Sequence, residues 1–423
     1  MVNLKDISSV GVGTYRMNVD NEIHFQAIKT AVEAGYNLID TATNYQKGKS
    51  EELIGHFLKK YPEFAGKLFI ISKAGYFPPQ TLQSSDFVNY VNQKAIEKAE
   101  IEADFAYSLD PNFIAYQLES SLKKIGREYL DAYLLHNPER LFQSKNLAST
   151  TYLYQAIERA FKFLEKKVVE GKIRYYGISS GALFDPSKEE SIDFEKLLSM
   201  VKSIQENHHF KVVQFPFNFK EQAALQKNYD QQSLLDLIHK NGLIAIGNRP
   251  LNMNDNGMEF RLVTHEKSLE AWKEEDAQNC LNDLLTQVES RIKTLTNGNS
   301  SSDDFEPMVL LKKHYTHFYA AEAVETFFQK HLLPFLQLIY EEETSLIEDV
   351  VQTVKDHATC YAHKNQTTKT KAFLKQEDIP LKSNSVLTAC DAYLNHFHLN
   401  HILVGLRKPQ YVMALEGAFT KLM

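Results

Sequence analysis

The chain has 423 residues, of which 43% are hydrophobic, 24% charged and 11% aromatic, a globular composition that excludes collagen-like, fibrous and wholly disordered classes. With 47 Lys and Arg against 54 Asp and Glu the formal net charge is -7, so no overall basic field exists to hold nucleic acid or an anionic membrane surface. Cys280, Cys360 and Cys390 lie far apart and form no CxxC pair, which argues against a disulfide framework and against a zinc site. The opening MVNLKDISSVGVG lacks the apolar stretch of a secretory signal, and no apolar run of about 18 residues occurs, so a cytoplasmic protein is expected.

Short β-branched runs then alternate with stretches of helical period, the pattern of βα units around a parallel sheet. Residues 10–15 read as a strand, 23–35 as a helix closed by glycine, 36–41 as the second strand and 50–60 as a helix with Ser50 as its N-cap. The third strand, 68–73, leads through a polar, Tyr- and Phe-containing excursion to a helix at 112–126 and a fourth strand at 131–136. Helices 152–171, 192–206 and 232–242 alternate with strands 174–179, 212–217 and 243–247. After Asn252 the alternation stops, and the residues up to Lys382 carry charged amphipathic helical stretches with a loop-like NGNSSSDD at 297–304. A helix at 383–398, an eighth apolar run at 402–405 and a helix at 409–422 complete the chain. Eight such units predict a (β/α)8 TIM barrel formed by 1–252 and 383–423, with a large, mainly helical insertion, 253–382, between strand seven and helix seven. An open doubly wound sheet has the same alternation, so the motifs must decide.

A barrel of this kind builds its active site at the C-terminal ends of the strands. Asp40 ends strand two within LIDTATNY, Lys73 ends strand three within FIISKAG, His136 ends strand four within YLLHNPE, and Tyr45 lies just past strand two. Singly, these read as solvated turn residues, a cap and a surface aromatic. Gathered at one rim they suit carbonyl reduction. The Lys73 ammonium would lower a phenol pKa that is ordinarily near 10. Asp40 would keep the lysine charged and oriented, His136 would hydrogen-bond the substrate oxygen, and Tyr45 would donate the proton.

The segments GVGTYR, NLIDTATNYQKGKSEELIG, FIISKAG, YLLHNPE and YYGISS resemble the aldo-keto reductase superfamily over most of 7–252 and 383–423. The resemblance implies an NAD(P)H-dependent oxidoreductase with a catalytic tetrad of Asp40, Tyr45, Lys73 and His136 and no metal. It further implies cofactor contacts from Gly13, Thr14, Tyr15, Ser179, Ser180, Gln214, Asn248 and Arg249. Ser180 stands where an asparagine is usual, and Asn248-Arg249 where an aromatic commonly stacks on the nicotinamide. VGLRKPQYV resembles the family's phosphate-binding turn, with Met413, Ala414 and Leu415 replacing the charged and amide residues that usually follow. Arg407 and Lys408 are the candidates for the 2′-phosphate of NADP(H), and NAD(H) is the other cofactor expected.

Other motifs carry less. Gly11-Val12-Gly13 lacks the third glycine of a dinucleotide fingerprint, and the histidines of HFHLNH diverge with no thiol or acidic partner. His208 and His209 read as loop residues. Leu281, Leu284, Leu285, Val288 and Ile292 form an apolar stripe expected to pack on the barrel or, second, to contact a partner or another copy. Phe77, Pro78, Pro79 and Phe87 are expected to wall the substrate pocket. The leading reading is a reductase of a small aldehyde or ketone, reversible to the alcohol, with neither nucleic acid nor membrane as partner. A cofactor-binding regulatory or scaffold protein on the same barrel is the alternative, and an isomerase or hydrolase without nicotinamide a third.

Overall fold

A computed structural model describes residues 2–77, 84–102, 105–187, 189–255 and 258–420. Eight parallel strands form a closed barrel: β1 (Val10–Gly13), β2 (Leu38–Asp40), β3 (Phe69–Ala74), β4 (Leu130–His136), β5 (Ile173–Ser179), β6 (Phe210–Pro216), β7 (Ile244–Asn248) and β8 (His401–Val404). Each strand pairs with the next in sequence, and β8 returns to β1. The predicted barrel is therefore the observed one.

Local chemistry sets the helix starts. α1 (Glu22–Glu33) opens on Asn21, whose side chain accepts from the Ile23 amide, and α3 (Pro111–Ile125) opens on Asp110 with proline in its first turn. Ser149 caps α4 (Thr150–Val169), Asp193 caps α5 (Phe194–Ile204), and Ser233 forms a capping box with Asp236 at α6 (Leu234–Lys240). α2 (Lys49–Lys60) is the exception: its cap is Gly48, at φ 88°, with no side-chain cap bond. Ser50, expected to cap it, is fully buried and bonds Thr14 instead.

Leu38, Phe69, Ile71, Ala132, Leu134, Val212, Ile244, Ile246 and Leu403 fill the barrel, joined by Val2 and Ile7 from the N-terminal segment. Two glycines permit the closure. A Cβ on Gly11 would lie 2.7 Å from the Leu38 side chain, and one on Gly177 only 1.8 Å from the Val212 carbonyl oxygen. At the start of β4, buried Asp131 accepts from Arg127 at 2.9 Å, Arg174 at 2.8 Å and the Ile70 amide at 3.0 Å. Being at the strand's N-terminal end, this charge cluster reads as a stability element.

Several boundaries differ from the expectation. The excursion after β3 contains a helix, Ser85–Gln93, and a short antiparallel pair, Ala99–Glu102 with Phe105–Tyr107. Strand pairing also continues past Asn252, in the two-stranded pair Asn252–Asp255 and Met258–Arg261. The polar run at 297–304 is ordered at its end by a 3-10 turn, Ser302–Asp304, closed by a Ser301–Asp304 capping box. The last helix is short, Pro409–Met413.

Contacts divide the chain into two units, Met1–Phe260 with Ala389–Met423, and Arg261–Thr388. The second is helical, its main helices being Glu274–Leu295, Glu306–His314, Ala321–Phe327, Leu333–Tyr340 and Glu348–Gln376. It has its own core, in which Leu281, Leu284, Val288 and Ile292 pack with Met308, Leu311, Phe328, Leu332, Val354 and Ala358. The apolar stripe expected to lie on the barrel, or to meet a partner, is thus used up inside its own unit, because four neighbouring helices supply enough apolar surface to cover it. Among the described residues, no helix is long and apolar enough to cross a membrane.

Candidate active site

Strand register brings the strand-end groups to one rim. Gly13 pairs with Asp40 and Asp40 with Ile71, and Lys73 follows two residues later on the same face of β3. Around the barrel His136 pairs with Ser179, and Ser179 with Gln214. Lys73 Nζ lies 2.7 Å from the Asp40 carboxylate, donates to the Thr41 carbonyl at 2.8 Å and reaches the Tyr45 hydroxyl at 3.3 Å. Lys73 is fully buried, and Asp40 is 3% exposed. From the opposite wall, Gln214 Nε2 donates to Asp40 Oδ1 at 2.8 Å. The His136 ring lies between two tyrosine edges, with centroids 5.8 Å from Tyr45 and 4.9 Å from Tyr76.

Burial decides the protonation states. It raises Asp40 and lowers Lys73, and the attraction between the two opposes both shifts. Burial pushes His136 well below the ordinary imidazole value, helped by the Lys73 and Arg140 charges, so the ring is neutral. Tyr45 departs from the expectation: burial, and then the Asp40 charge, hold its hydroxyl well above the ordinary phenol value. The lysine does not lower it, because Lys73 spends its charge first on a carboxylate 2.7 Å away. Tyr45 is therefore a phenol, not a phenolate.

The residues expected to meet a cofactor separate into groups. Ser179 Oγ and Asn248 Nδ2 both donate to Gln214 Oε1, at 3.0 and 3.2 Å, so these three join the Asp40–Lys73 pair in one network. Asn248 Oδ1 is buried and has no partner among the described residues. A nicotinamide carboxamide carries amide N–H donors, so an orphaned buried acceptor beside the Asp40–Lys73 network fits such a ring. Tyr15 is 62% exposed, with its ring edge-on to Tyr45 at 5.1 Å. Gly13 ends β1, and Thr14 is structural, its hydroxyl donating to the Asp40 carbonyl at 2.9 Å and bonding Ser50 at 2.6 Å. Ser180 points elsewhere and donates to Glu139 at 2.8 Å. Arg249, at φ 57°, pairs with Glu221 at 3.5 Å and lines a cavity of about 520 Å³ with Gly181, Phe184, Pro216 and Lys220. Arg407 is half-buried, its charge felt by His24, and Lys408 is exposed at the N-cap of the final helix.

The aromatic pocket wall is corrected. Phe77 and Phe87 are buried with Ile96 and Phe113, Phe77 stacking on Phe113 at 4.1 Å, so they form a small core under the excursion. Pro78 and Pro79 lie outside the described residues. The group that faces His136 is Tyr76, and its hydroxyl accepts from Asn137 at 2.7 Å and from Arg140 at 3.3 Å. Gln117 of α3 was also missed, although it secures the end of β3 through the Gly75 amide at 2.9 Å and the Tyr76 carbonyl at 2.8 Å. A glutamine on an amphipathic helix carries no sequence signal for this role. Glu139 was missed as well; it accepts from Ser180 and from the Gly181 amide, and burial raises its pKa. Its place three residues after His136 was the available hint. Among the described residues, no group of three His, Cys, Asp or Glu is placed to hold a metal ion.

A sequence model of the Aldo/keto reductase family matches residues 9–292. The NADH-specific methylglyoxal reductase of Escherichia coli is 26% identical over 182 residues, 41% of this chain and 48% of that protein. The methylglyoxal reductase YeaE of the same organism is 29% identical over 177 residues, covering 41% and 46%. The chain thus spans about half the length of the curated relatives it matches. Among solved structures, an aldo-keto reductase from Bacillus halodurans in its holo form aligns with a TM-score of 0.40 at 18% identity, covering 66% of this chain and 73% of that one. One from Klebsiella pneumoniae, in complex with NADP and acetate, aligns with a TM-score of 0.37 at 19% identity, covering 57% and 63%. With the family match extending over well more than half of the sequence, this chain belongs to the aldo/keto reductase family.

Proposed function

We propose that the protein is an NAD(P)H-dependent oxidoreductase that reduces a small aldehyde or ketone to the alcohol, reversibly, with Tyr45 as general acid. The observation that carries this reading is the buried Lys73 ammonium held 2.7 Å from Asp40 and 3.3 Å from the Tyr45 hydroxyl, with neutral His136 against the same phenol. When bound, a reduced nicotinamide supplies the hydride equivalent. The chain handles the oxygen. As negative charge builds on the carbonyl oxygen it becomes a stronger base than a phenolate, so the proton moves from Tyr45 Oη to that oxygen even though the phenol pKa is raised. The Lys73 ammonium then balances the phenolate left behind. Asp40 and the Thr41 carbonyl keep the ammonium in place, and His136 donates an N–H to the same oxygen. In the alcohol-oxidising direction the same groups act in reverse.

Family membership supports the reaction class, and two relatives named as methylglyoxal reductases make small reactive aldehydes the first substrates to test. Either NADP(H) or NAD(H) is the cofactor, and Arg407 and Lys408 would favour the phosphorylated form. The test is Tyr45→Phe. This change removes one hydroxyl and little volume, so it should cut kcat about 10²–10⁴-fold while dinucleotide affinity stays within about twofold. Reduction at near wild-type rate would sink the assignment and favour a cofactor-binding regulatory or scaffold role.

A further inference from the structure

The amide of Asn248 has a settled orientation, although amide oxygen and nitrogen are ordinarily hard to tell apart. Asp40 accepts only, so the group of Gln214 that meets it at 2.8 Å must be Nε2. Gln214 Oε1 therefore faces the other way and needs donors. Ser179 Oγ supplies one at 3.0 Å and Asn248 Nδ2 another at 3.2 Å. With its nitrogen committed to Gln214, Asn248 must present Oδ1 away from that residue. This oxygen is buried and has no hydrogen-bond partner among the described residues. Leaving a buried carbonyl oxygen unbonded is costly, and in the folded chain this one sits at the end of β7, one side chain from the Gln214–Asp40 link. Asp40 thus polarises and aligns an acceptor that it does not touch.

We propose that Asn248 Oδ1 accepts a hydrogen bond from the amide N–H of a nicotinamide carboxamide, which makes Asn248 a determinant of selectivity for the carboxamide ring. The proposal rests on the reading of the protein as a nicotinamide-dependent enzyme and adds the atom that recognises the ring's substituent. The donor must be an N–H because the group waiting for it can only accept. A dinucleotide whose ring carries an acetyl group keeps the carbonyl and the shape but replaces the NH2 by a methyl, which leaves Asn248 Oδ1 unpaired.

The experiment is calorimetric titration of the full chain with NADP+ and with 3-acetylpyridine adenine dinucleotide phosphate, without any turnover. The wild-type chain should bind the carboxamide about tenfold more tightly than the acetyl analogue. In Asn248→Ala and in the nearly isosteric Asn248→Leu that ratio should fall to about one, because NADP+ loses affinity and the analogue loses little. Circular dichroism melts identify either variant that fails to fold. The wild-type ratio stands without them: equal affinity of the wild-type chain for the two ligands overturns the proposal. An unchanged tenfold preference in a folded variant overturns it as well. Failure of the wild-type chain to bind any dinucleotide, phosphorylated or not, overturns both this assignment and the enzymatic reading, whereas binding with equal affinity removes this assignment alone.

Discussion

Removing either member of the Asp40–Lys73 pair should destabilise the barrel, and the two losses should depend on pH in opposite ways. Both groups are almost fully buried and 2.7 Å apart, so deleting one leaves the other as an uncompensated buried charge, at a cost of about 3–5 kcal/mol. For a domain of this size that is a fall of about 6–20 °C in the barrel's melting temperature. In Lys73→Met the main influence holding Asp40 down is gone, and burial raises its pKa further. A raised folded-state pKa stabilises below the unfolded value and loses that contribution as pH rises through the folded one, so the deficit should grow from pH 5 to pH 9. In Asp40→Asn the lysine loses its counter-ion, and burial lowers it further. A depressed folded-state pKa loses stability as pH falls from the ordinary lysine value of 10.5, so this deficit should be larger at pH 5 than at pH 9. The double variant buries no charge, and its loss should be smaller than the sum of the single losses by at least about 2 kcal/mol. The assay is urea unfolding followed by far-UV circular dichroism at the two pH values. The single tryptophan, Trp272, lies in the Arg261–Thr388 unit, and its emission should move little in any of the variants. Additive losses, or the same pH trend in both single variants, would refute the buried-pair argument.

Because burial and Asp40 hold Tyr45 above the ordinary phenol value of 10, the proton donor stays loaded through pH 9. Carbonyl reduction measured against pH should therefore show no alkaline loss assignable to Tyr45 below about pH 10, and a falling limb centred near pH 8 that disappears in Tyr45→Phe would contradict this. Gly55→Ala should destabilise the chain by about 1–3 kcal/mol or more, since its Cβ would lie 2.0 Å from the Lys124 carbonyl oxygen where α2 meets α3; an unchanged melting temperature would exclude that close approach. Replacing Arg407 and Lys408 by alanine should weaken NADPH about tenfold or more and NADH by less than twofold, as read by calorimetry. An equal loss for the two cofactors would remove the 2′-phosphate assignment.

The architecture of the barrel and the identity of its rim were legible in the sequence for local reasons. Strand and helix periods, a proline in the first turn of α3 and glycine just past its end depend only on neighbouring residues. Asp40, Lys73 and His136 stood out because a parallel barrel sends every strand's C-terminal end to one face. The pairing after Asn252 was not legible, because two short strands carry too little alternation to register. Ser50 has the look of a cap, yet whether a hydroxyl bonds its own helix or Thr14, 36 residues away, depends on which strand packs beneath it. Phe77 could wall a pocket or fill a core, and the choice was made by Phe87 and Phe113, which arrive from later elements. The Tyr45 pKa was the largest reversal: the sequence supplies the lysine, but only the packed structure shows that Asp40 takes most of its charge and that burial governs the phenol. Periodicity and capping act over a few residues and can be read along a chain, whereas burial and hydrogen-bond direction belong to groups that meet only after folding.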